Sequence, residues 1–329
     1  MLPDSLPPIP PRTAESLKES LRSRALELGF DDLGFASAEG EVPFAAHFRK
    51  AHEEGRFGPL DYLERTLEAR ASLRSVFPEA KTVIVVVKNY YTGDHPPGSE
   101  RKAKIARYAW GQDYHQWFKK KLKHLSQEIL KTAPLARIWP FNDTGPFLER
   151  AWASQAGLGF IGKSAMFIHR GLGTWTLLGG LATDITIEPD PAYEGPSCGS
   201  CTRCLDGCPT QAIVKPYTVD ANKCIATWTI ERSLHPSSID KAPRDHTWLF
   251  GCDICQELCP WNKFQQITDE PRFQPVPGRV VLSKETFSQN LEGSALNRTR
   301  KSGLKANFLR IKNSLEESNL KIFSGLDQK

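Results

Sequence analysis

The distribution of cysteine constrains this chain more than any other feature of its sequence. The chain has 329 residues and eight cysteines, all of which lie between Cys198 and Cys259. The segment from Cys198 to Cys208 has the spacing C-x2-C-x2-C-x3-C and is followed by Pro209. Such clustering in a chain with no recognisable secretion signal favours metal or cluster ligation over disulfide bonds.

The cysteine spacing predicts two 4Fe–4S clusters. The first run matches bacterial ferredoxins, in which the fourth cysteine ligates the other cluster. A shorter run, C-x2-C-x3-C-P, ends at Pro260, and Cys224 lies between the two runs. The expected ligands of cluster 1 are Cys198, Cys201, Cys204 and Cys259. The expected ligands of cluster 2 are Cys208, Cys224, Cys252 and Cys255. Two four-cysteine zinc sites are the alternative, because CxxC pairs also bind zinc.

The hydrophobic pattern and the turn residues predict three regions. Residues 188–196 are rich in proline and glycine and mark a boundary. We expect an α+β, α/β-like domain over residues 1–190, a ferredoxin-like module over 191–265 and a short basic helical segment over 266–329. Helices are expected near residues 13–28, 44–67, 113–131 and 146–155. Strands are expected near residues 32–36, 81–91, 136–141, 165–169 and 174–182.

The segment GLGFIGKS, residues 157–164, matches both a P-loop and a dinucleotide-binding pattern. Both motifs need a strand before the glycines and a helix after them, because the helix N-terminus holds the phosphates. Here the preceding residues favour a helix and the following ones a strand. We therefore expect no nucleotide site and interpret Gly157 as the glycine that ends a helix.

Charge and hydropathy limit which binding partners and which cellular compartment we expect. The formal net charge is +5, and basic residues cluster at Lys119–Lys123 and between Arg298 and Lys312. Either cluster is a candidate contact for nucleic-acid phosphates, although a solvated helix face is the simpler interpretation. No run of eighteen apolar residues is present, so we expect no membrane-spanning helix and a cytoplasmic location.

Three segments together resemble the epoxyqueuosine reductase family. They are FNDTGPFLERAWASQAGLGFIGKS (141–164), NKCIATWTIE (222–231) and FGCDICQELCPWNK (250–263). The resemblance covers roughly residues 13–265, with a shorter match at residues 294–310. It implies an enzyme that reduces epoxyqueuosine to queuosine at the wobble position of tRNA. The implied cofactors are two 4Fe–4S clusters and a cobalamin that lies between the first domain and the cysteine module.

The resemblance also implies which residues act. Electrons from the clusters would reduce the cobalt, and a carboxylic acid, which maps to Asp143, would protonate the epoxide oxygen. From spacing alone, Asp143 or Thr144 is a helix N-cap with Pro146 in the first turn. Cobalamin contacts are implied at Arg70, Ala106, Asp143, Ser164, Phe167 and Leu178. No histidine ligand to cobalt is expected, and His115 is interpreted as an ordinary surface or core histidine.

The implied partners are the tRNA anticodon stem-loop and an external low-potential electron donor, with the enzyme acting as a monomer. Two other functions stay open at this point. One is a two-cluster electron-transfer protein, although a ferredoxin needs no additional domain of 190 residues. The other is a cobalamin-dependent reductase of a different substrate.

Overall fold

The computed structural model describes residues 11–231, 242–282, 291 and 293–315. The helices are α1 (Pro11–Glu27), α2 (Ala45–Glu53), α3 (Asp61–Arg65), α4 (Leu67–Ala71), α5 (Tyr114–Thr132), α6 (Glu149–Gln155), α7 (Arg203–Asp206), α8 (Ile254–Glu257) and α9 (Arg300–Ile311). The strands are β1 (Asp32–Ser37), β2 (Thr82–Asn89), β3 (Lys104–Ile105), β4 (Ile138–Phe141), β5 (Gly159–Ile161), β6 (Phe167–His169), β7 (Thr176–Thr183), β8 (Ile213–Lys215), β9 (Thr218–Val219) and β10 (Trp248–Phe250). Among these helices, none has the length and apolarity needed to cross a bilayer.

A four-stranded sheet with the order β1-β2-β7-β4 is the centre of the first domain. All of its pairings are antiparallel, which makes the domain α+β, as expected. Every residue of β2 is buried, because helices cover both faces of the sheet. The β-branched sequence of this strand suits such a position, and its assignment as a central strand is confirmed.

The two faces of the sheet have separate hydrophobic cores. One core packs α1 and α5 against the sheet through Leu21, Phe30, Trp117 and Phe118. The other packs the α4 and α6 side, where Trp152 and its neighbours are buried. Because α5 lies across one face and α6 follows β4, the N-terminus of α5 and the loop after β4 can meet at one edge of the sheet.

The expected long helix over residues 44–67 is wrong, because the chain forms α2, α3 and α4 instead. Gly55 and Gly58 have φ values of 68° and 52°, a conformation that ends a helix. A Cβ on Gly58 would lie 2.8 Å from the Oδ1 atom of Asn222, so the break also lets this turn approach the cysteine module. The Nδ2 group of Asn222 donates to the carbonyl of Gly55 at 3.0 Å.

The described part of the C-terminal segment packs onto the rest of the chain. Helix α9 lies against β10, which pairs in parallel with β3 of the first domain. The Asn307 side chain is buried, and its Nδ2 group donates to the carbonyls of Thr229 and Leu249 at 2.8 and 2.9 Å. The helical character expected for this segment is found over Arg300–Ile311, and residues 316–329 lie outside the described ranges.

Candidate active site and cluster sites

Asp143 lies in the loop between β4 and α6, at one edge of the central sheet. The loop is not helical, and Asp143 has a left-handed φ of 52°. Helix α6 starts at Glu149 with Leu148 at the N-cap position and no side-chain cap. The N-cap interpretation of Asp143 and Thr144 is therefore wrong. Pro146 disfavours helical backbone at the residue before it, so the first helical turn forms only after the loop.

Two side chains from the start of α5 bind the Asp143 carboxylate. The hydroxyl of Tyr114 donates to Oδ2 at 2.6 Å, and Nε2 of His115 lies 3.3 Å from the same oxygen. Nδ1 of His115 lies 2.6 Å from Oδ1 of Asp113, which also caps α5 by accepting from the His115 backbone N–H. The histidine thus lies between two carboxylates. It belongs to the site, which the sequence analysis missed.

The electrostatics of the site place the proton on the histidine. Burial alone would raise the pKa of Asp143, but hydrogen bonds from His115 and Tyr114 outweigh it and hold that pKa at about 2. Burial would lower the pKa of His115, but its bonds to Asp113 and Asp143 raise it to about 9. The Asp143 side chain is 63% exposed, yet the surrounding protein atoms have the largest effect on its pKa. A carboxylate in an open concave site has both properties, because it contacts solvent while protein surrounds it on several sides.

A second carboxyl group lies close by. Burial raises the pKa of Glu149 to about 7, and the charge of Asp143 acts in the same direction. Oε1 of Glu149 and Nδ2 of Asn142 are buried and have no hydrogen-bond partner within the described residues. Unpaired buried polar atoms are rare in folded proteins and usually mark a place for a ligand or water.

Arg70 fixes the C-terminal end of the loop that contains Asp143. The side chain is buried; its Nη1 group donates to the carbonyl of Phe147 at 2.9 Å, and its Nε group donates to the Thr66 hydroxyl at 3.0 Å. The guanidinium therefore fixes the loop to α4. Its contact with cobalamin stays a prediction.

The other residues implied as cobalamin contacts lie on the β7 strand and on both sides of the junction with the cysteine module. Ala106 is buried and donates its N–H to the carbonyl of Phe250 at 2.9 Å. Ser164 lines a cavity among the cysteines, and Phe167 is buried on β6. Leu178 is partly buried on β7, where it pairs with Val87 of the central strand. These contacts also stay predictions.

Five cysteines line a cavity of about 130 Å³ between the first domain and the module. Cys198, Cys201, Cys204 and Cys259 line it, together with Cys255 and the hairpin residues Lys163 and Ser164. The pKa of Cys259 is raised to about 11, mainly by burial and in addition by the neighbouring thiols of Cys198, Cys204 and Cys201. These four are the expected ligands of cluster 1.

The remaining cysteines form a second group. Burial raises the pKa of Cys252, with further contributions from Cys255 and Cys224. Cys255 is partly buried, and its pKa is raised first by the loss of solvation and then by Cys224, with smaller effects from Cys204 and Cys208. Raised thiol pKa values mean that cluster binding must release protons here, since the thiolate is the ligand.

Backbone donors point at the sulfurs in both groups. Lys163 N–H donates to Sγ of Cys198 at 3.4 Å, and Ala212 N–H donates to Sγ of Cys208 at 3.3 Å. Among the described residues, no three His, Cys, Asp or Glu side chains lie close enough to hold a single metal ion. Thiolates on a 4Fe–4S cube each bind a different iron, so they need not converge on one point. The donor set fits two clusters.

The nucleotide-binding patterns in GLGFIGKS are not realised. Helix α6 precedes the segment, and Gly157, at φ 72°, follows the helix end, as expected for a terminating glycine. The GKS residues form the turn between β5 and β6, an antiparallel hairpin. No helix N-terminus follows that turn, so it lacks the feature that binds phosphate.

The basic residues have different environments. Lys119, Lys120 and Lys123 are exposed on α5, whereas the Lys121 ammonium lies 5.5 Å from the centre of the Trp117 ring. Arg298 forms an ion pair with Glu231 at 2.6 Å. Arg300 and Lys312 are exposed at the two ends of α9.

Comparison with known proteins places these features together in one family. Residues 70–144 match the family model described as epoxyqueuosine reductase QueG, DUF1730, and residues 197–262 match that of a 4Fe-4S double cluster binding domain. The chain is 43% identical to the epoxyqueuosine reductase of Synechocystis sp. over 72% of this chain and 85% of the relative. It is 35% identical to that of Cellulophaga algicola, over 90% and 98%.

Solved structures of epoxyqueuosine reductases are also similar to this chain. An epoxyqueuosine reductase with an epoxyqueuosine-modified tRNA-Tyr stem loop has a TM-score of 0.78 at 29% identity, over 96% of this chain and 86% of that one. The Bacillus subtilis epoxyqueuosine reductase, captured with its aspartate-bearing catalytic loop swung out of the active site, has a TM-score of 0.79 at 28% identity, over the same shares.

Proposed function

This chain belongs to the epoxyqueuosine reductase family, and from that premise we propose that it reduces epoxyqueuosine to queuosine at the wobble position of tRNA. The reaction takes two electrons and two protons and releases water. The family membership and the 4Fe–4S double cluster domain make the chain a tRNA-modifying oxidoreductase. One observation carries the proposal for the chemistry: the Asp143 carboxylate and the His115 imidazole lie 3.3 Å apart in an open site of a chain that also has a two-cluster module.

Cobalamin is the proposed electron carrier between the clusters and the epoxide, and when bound it would supply the strong reductant that the reaction needs. Arg70, Ala106, Ser164, Phe167 and Leu178 are proposed to hold it. The unpaired polar atoms of Asn142 and Glu149 support the presence of a ligand with many hydrogen-bonding groups. The corrin of cobalamin carries such groups in its amide side chains.

Asp143 is proposed to protonate the epoxide oxygen, because an alkoxide is a poor leaving group. At neutral pH the carboxylate is ionised, so the proton must come from its partner. His115, with its pKa of about 9, holds a proton 3.3 Å from Oδ2 and can reload Asp143 as the oxygen takes the first one. Tyr114 holds the carboxylate in place. The swung-out catalytic loop of the Bacillus subtilis relative supports a functional role for the corresponding loop here.

The ligand partition is also a proposal. It assigns Cys198, Cys201, Cys204 and Cys259 to cluster 1 and Cys208, Cys224, Cys252 and Cys255 to cluster 2. It is supported by the cavity, which all four cysteines of the first set line together with Cys255, and by the effects of Cys224 on the pKa values of Cys252 and Cys255. An external low-potential donor would supply electrons to the clusters, and a cytoplasmic monomer stays the expected form.

The tRNA is proposed to lie along the basic face of α5. Tyr114 and His115 stand at the start of this helix, and the exposed Lys119, Lys120 and Lys123 follow on it. The phosphates of an anticodon stem-loop that places its wobble base at Asp143 would meet these lysines. The tRNA stem loop bound by a related enzyme supports this partner.

An Asp143→Asn variant tests the proposed chemistry. Asparagine keeps the shape of the side chain but has no carboxyl group to donate a proton, so we expect the rate of epoxide reduction to fall about 10²–10⁴-fold. Iron and cobalt content should equal those of the unmodified protein. Full activity of the variant on an epoxyqueuosine stem-loop would remove Asp143 from the mechanism.

A further inference from the structure

Lys163, the lysine of the unused GKS pattern, makes all of its described polar contacts with the cysteine module. It lies in the turn of the β5–β6 hairpin, which Gly162 closes by donating to the carbonyl of Met166 at 2.8 Å. The hairpin belongs to the first domain in sequence, yet this turn projects into the module.

Four bonds join Lys163 to the module. Its N–H donates to Sγ of Cys198 at 3.4 Å. Its Nζ donates to the carbonyls of Gly199 and Cys201 at 2.7 and 3.0 Å. Its own carbonyl accepts from the N–H of Tyr217 at 2.9 Å. One residue therefore binds a predicted ligand of cluster 1, the loop between two such ligands, and the β8–β9 hairpin.

The packing brings this turn very close to the sulfur. A Cβ on Gly162 would lie 2.6 Å from Cδ1 of Ile168 and 3.6 Å from Sγ of Cys198, so the residue before Lys163 is in van der Waals reach of the sulfur. Lys163 itself lines the cavity that Cys198, Cys201, Cys204 and Cys259 surround. The ammonium is thus a positive charge fixed at the wall of the cluster 1 cavity.

Hydrogen bonds to the ligand sulfurs and nearby charge are two of the factors that set the reduction potential of an iron–sulfur cluster. A reduced cluster carries one more negative charge than the oxidised one, so a fixed cation stabilises the reduced form more. Residues that orient ligand loops also determine how well the metal is held.

We propose that Lys163 is a positioning residue of cluster 1, which fixes the Cys198–Cys201 loop against the first domain and eases reduction of the cluster through its positive charge. The proposal rests on the double cluster domain and the ligand partition. It does not depend on the tRNA substrate or on cobalamin.

The test compares Lys163→Gln with Lys163→Arg, both prepared anaerobically without tRNA or cobalamin. Iron content and an EPR-monitored redox titration give the readouts. We expect K163Q to shift the midpoint potential of one cluster to lower values and to leave the other unchanged, while K163R stays close to the unmodified protein. Lys131→Gln is the control, because it removes the same charge from a lysine that bonds Glu128 within its own helix.

Each outcome decides the matter. K163Q with about eight iron per chain and unshifted potentials would overturn the proposal. If K163Q fell to about four iron while K163R kept about eight, the positioning role would stand. If both variants fell to about four iron per chain, the positive charge would not be what holds the cluster, and the proposal would fail. Since the readouts need no substrate, a failure here would leave the proposed tRNA reaction untouched.

Discussion

Replacing His115 with glutamine is expected to change the pH dependence of epoxide reduction more than any other property of the protein. Glutamine can still donate a hydrogen bond to Asp143 but has no proton to transfer. In the unmodified site, Asp143 has a pKa of about 2 and His115 one of about 9, so the pair carries one proton at neutral pH and holds it on the imidazole. Two groups this close titrate as a pair.

The size of the effect follows from the fraction of sites that hold a proton. At pH 7 a group with a pKa of about 9 is roughly 99% protonated. Glutamine keeps a hydrogen bond to Asp143 but not the positive charge, so we expect the pKa of Asp143 to rise toward its ordinary value of 3.8, where a carboxyl is protonated in roughly one molecule in 10³ at pH 7. We therefore expect the rate to fall on the order of 10²–10³-fold, within the range typical of general acid catalysis.

The assay is single-turnover reduction of an epoxyqueuosine stem-loop by pre-reduced enzyme, measured across pH. The unmodified enzyme should keep its rate up to about pH 9 and lose it above, because the pair then gives up its proton. H115Q should lose about tenfold per pH unit over the whole range above about pH 5, because Asp143 then titrates as an ordinary carboxyl. His124→Gln is the matched control, since this histidine lies on the same helix and bonds Gln127 at 3.2 Å.

An H115Q enzyme with the rate and the pH profile of the unmodified one would refute the shared proton. A uniform loss at every pH, with an unchanged profile, would also refute it, because that result would mean that His115 only positions Asp143. Equal iron and cobalt in both proteins is the condition for the comparison.

Three further outcomes are expected. Cys224→Ser should lower the iron content to about half and leave the EPR signal of cluster 1; iron at the level of the unmodified protein would disprove the ligand partition. Replacing Lys119, Lys120 and Lys123 with glutamine should weaken stem-loop binding and reduce its salt dependence, whereas an unchanged affinity and salt slope would exclude α5 from the tRNA contact. Glu149→Gln should stabilise the protein above about pH 7 but not near pH 4.5. The pKa of Glu149 is raised from 4.5 to about 7, so its contribution to stability is complete below 4.5 and is lost as pH rises through 7, by about 3 kcal/mol at about 1.4 kcal/mol per pKa unit. Equal pH dependence of thermal unfolding in both proteins would contradict this.

Local sequence patterns predicted the central strand and the 4Fe–4S double cluster domain, but not the division of residues 44–67 into three helices. The β-branched run of β2 can only be satisfied by burial on both faces, and the 4Fe–4S spacing is a property of neighbouring residues. Even the break at Gly55 and Gly58 had a local signal, since two glycines three residues apart disfavour a continuous helix.

The contacts of the site could not be predicted in the same way. His115 and Asp143 are separated by 28 positions, and only the crossing of α5 over the sheet brings them to one edge. Lys163 had a misleading local signal, because a GKS sequence is typical of phosphate binding. Its true environment depends on how the β5–β6 hairpin packs against the cysteine loop, which no short pattern encodes.

The parallel pairing of β3 with β10 has a consequence for how the chain is made. Ile105 pairs with Phe250, which is synthesised 145 positions later. At 5–20 residues per second, a ribosome needs roughly 7–30 s to complete that stretch. During this time the apolar side chains around Ile105 and Trp110, which are buried in the finished protein by Leu249, Phe250 and Phe308, have no cover. The apolar surface around Ile105 therefore stays uncovered until the last third of the chain is made, and under the proposed ligand partition neither cluster has all of its ligands before Cys255 and Cys259 have been synthesised.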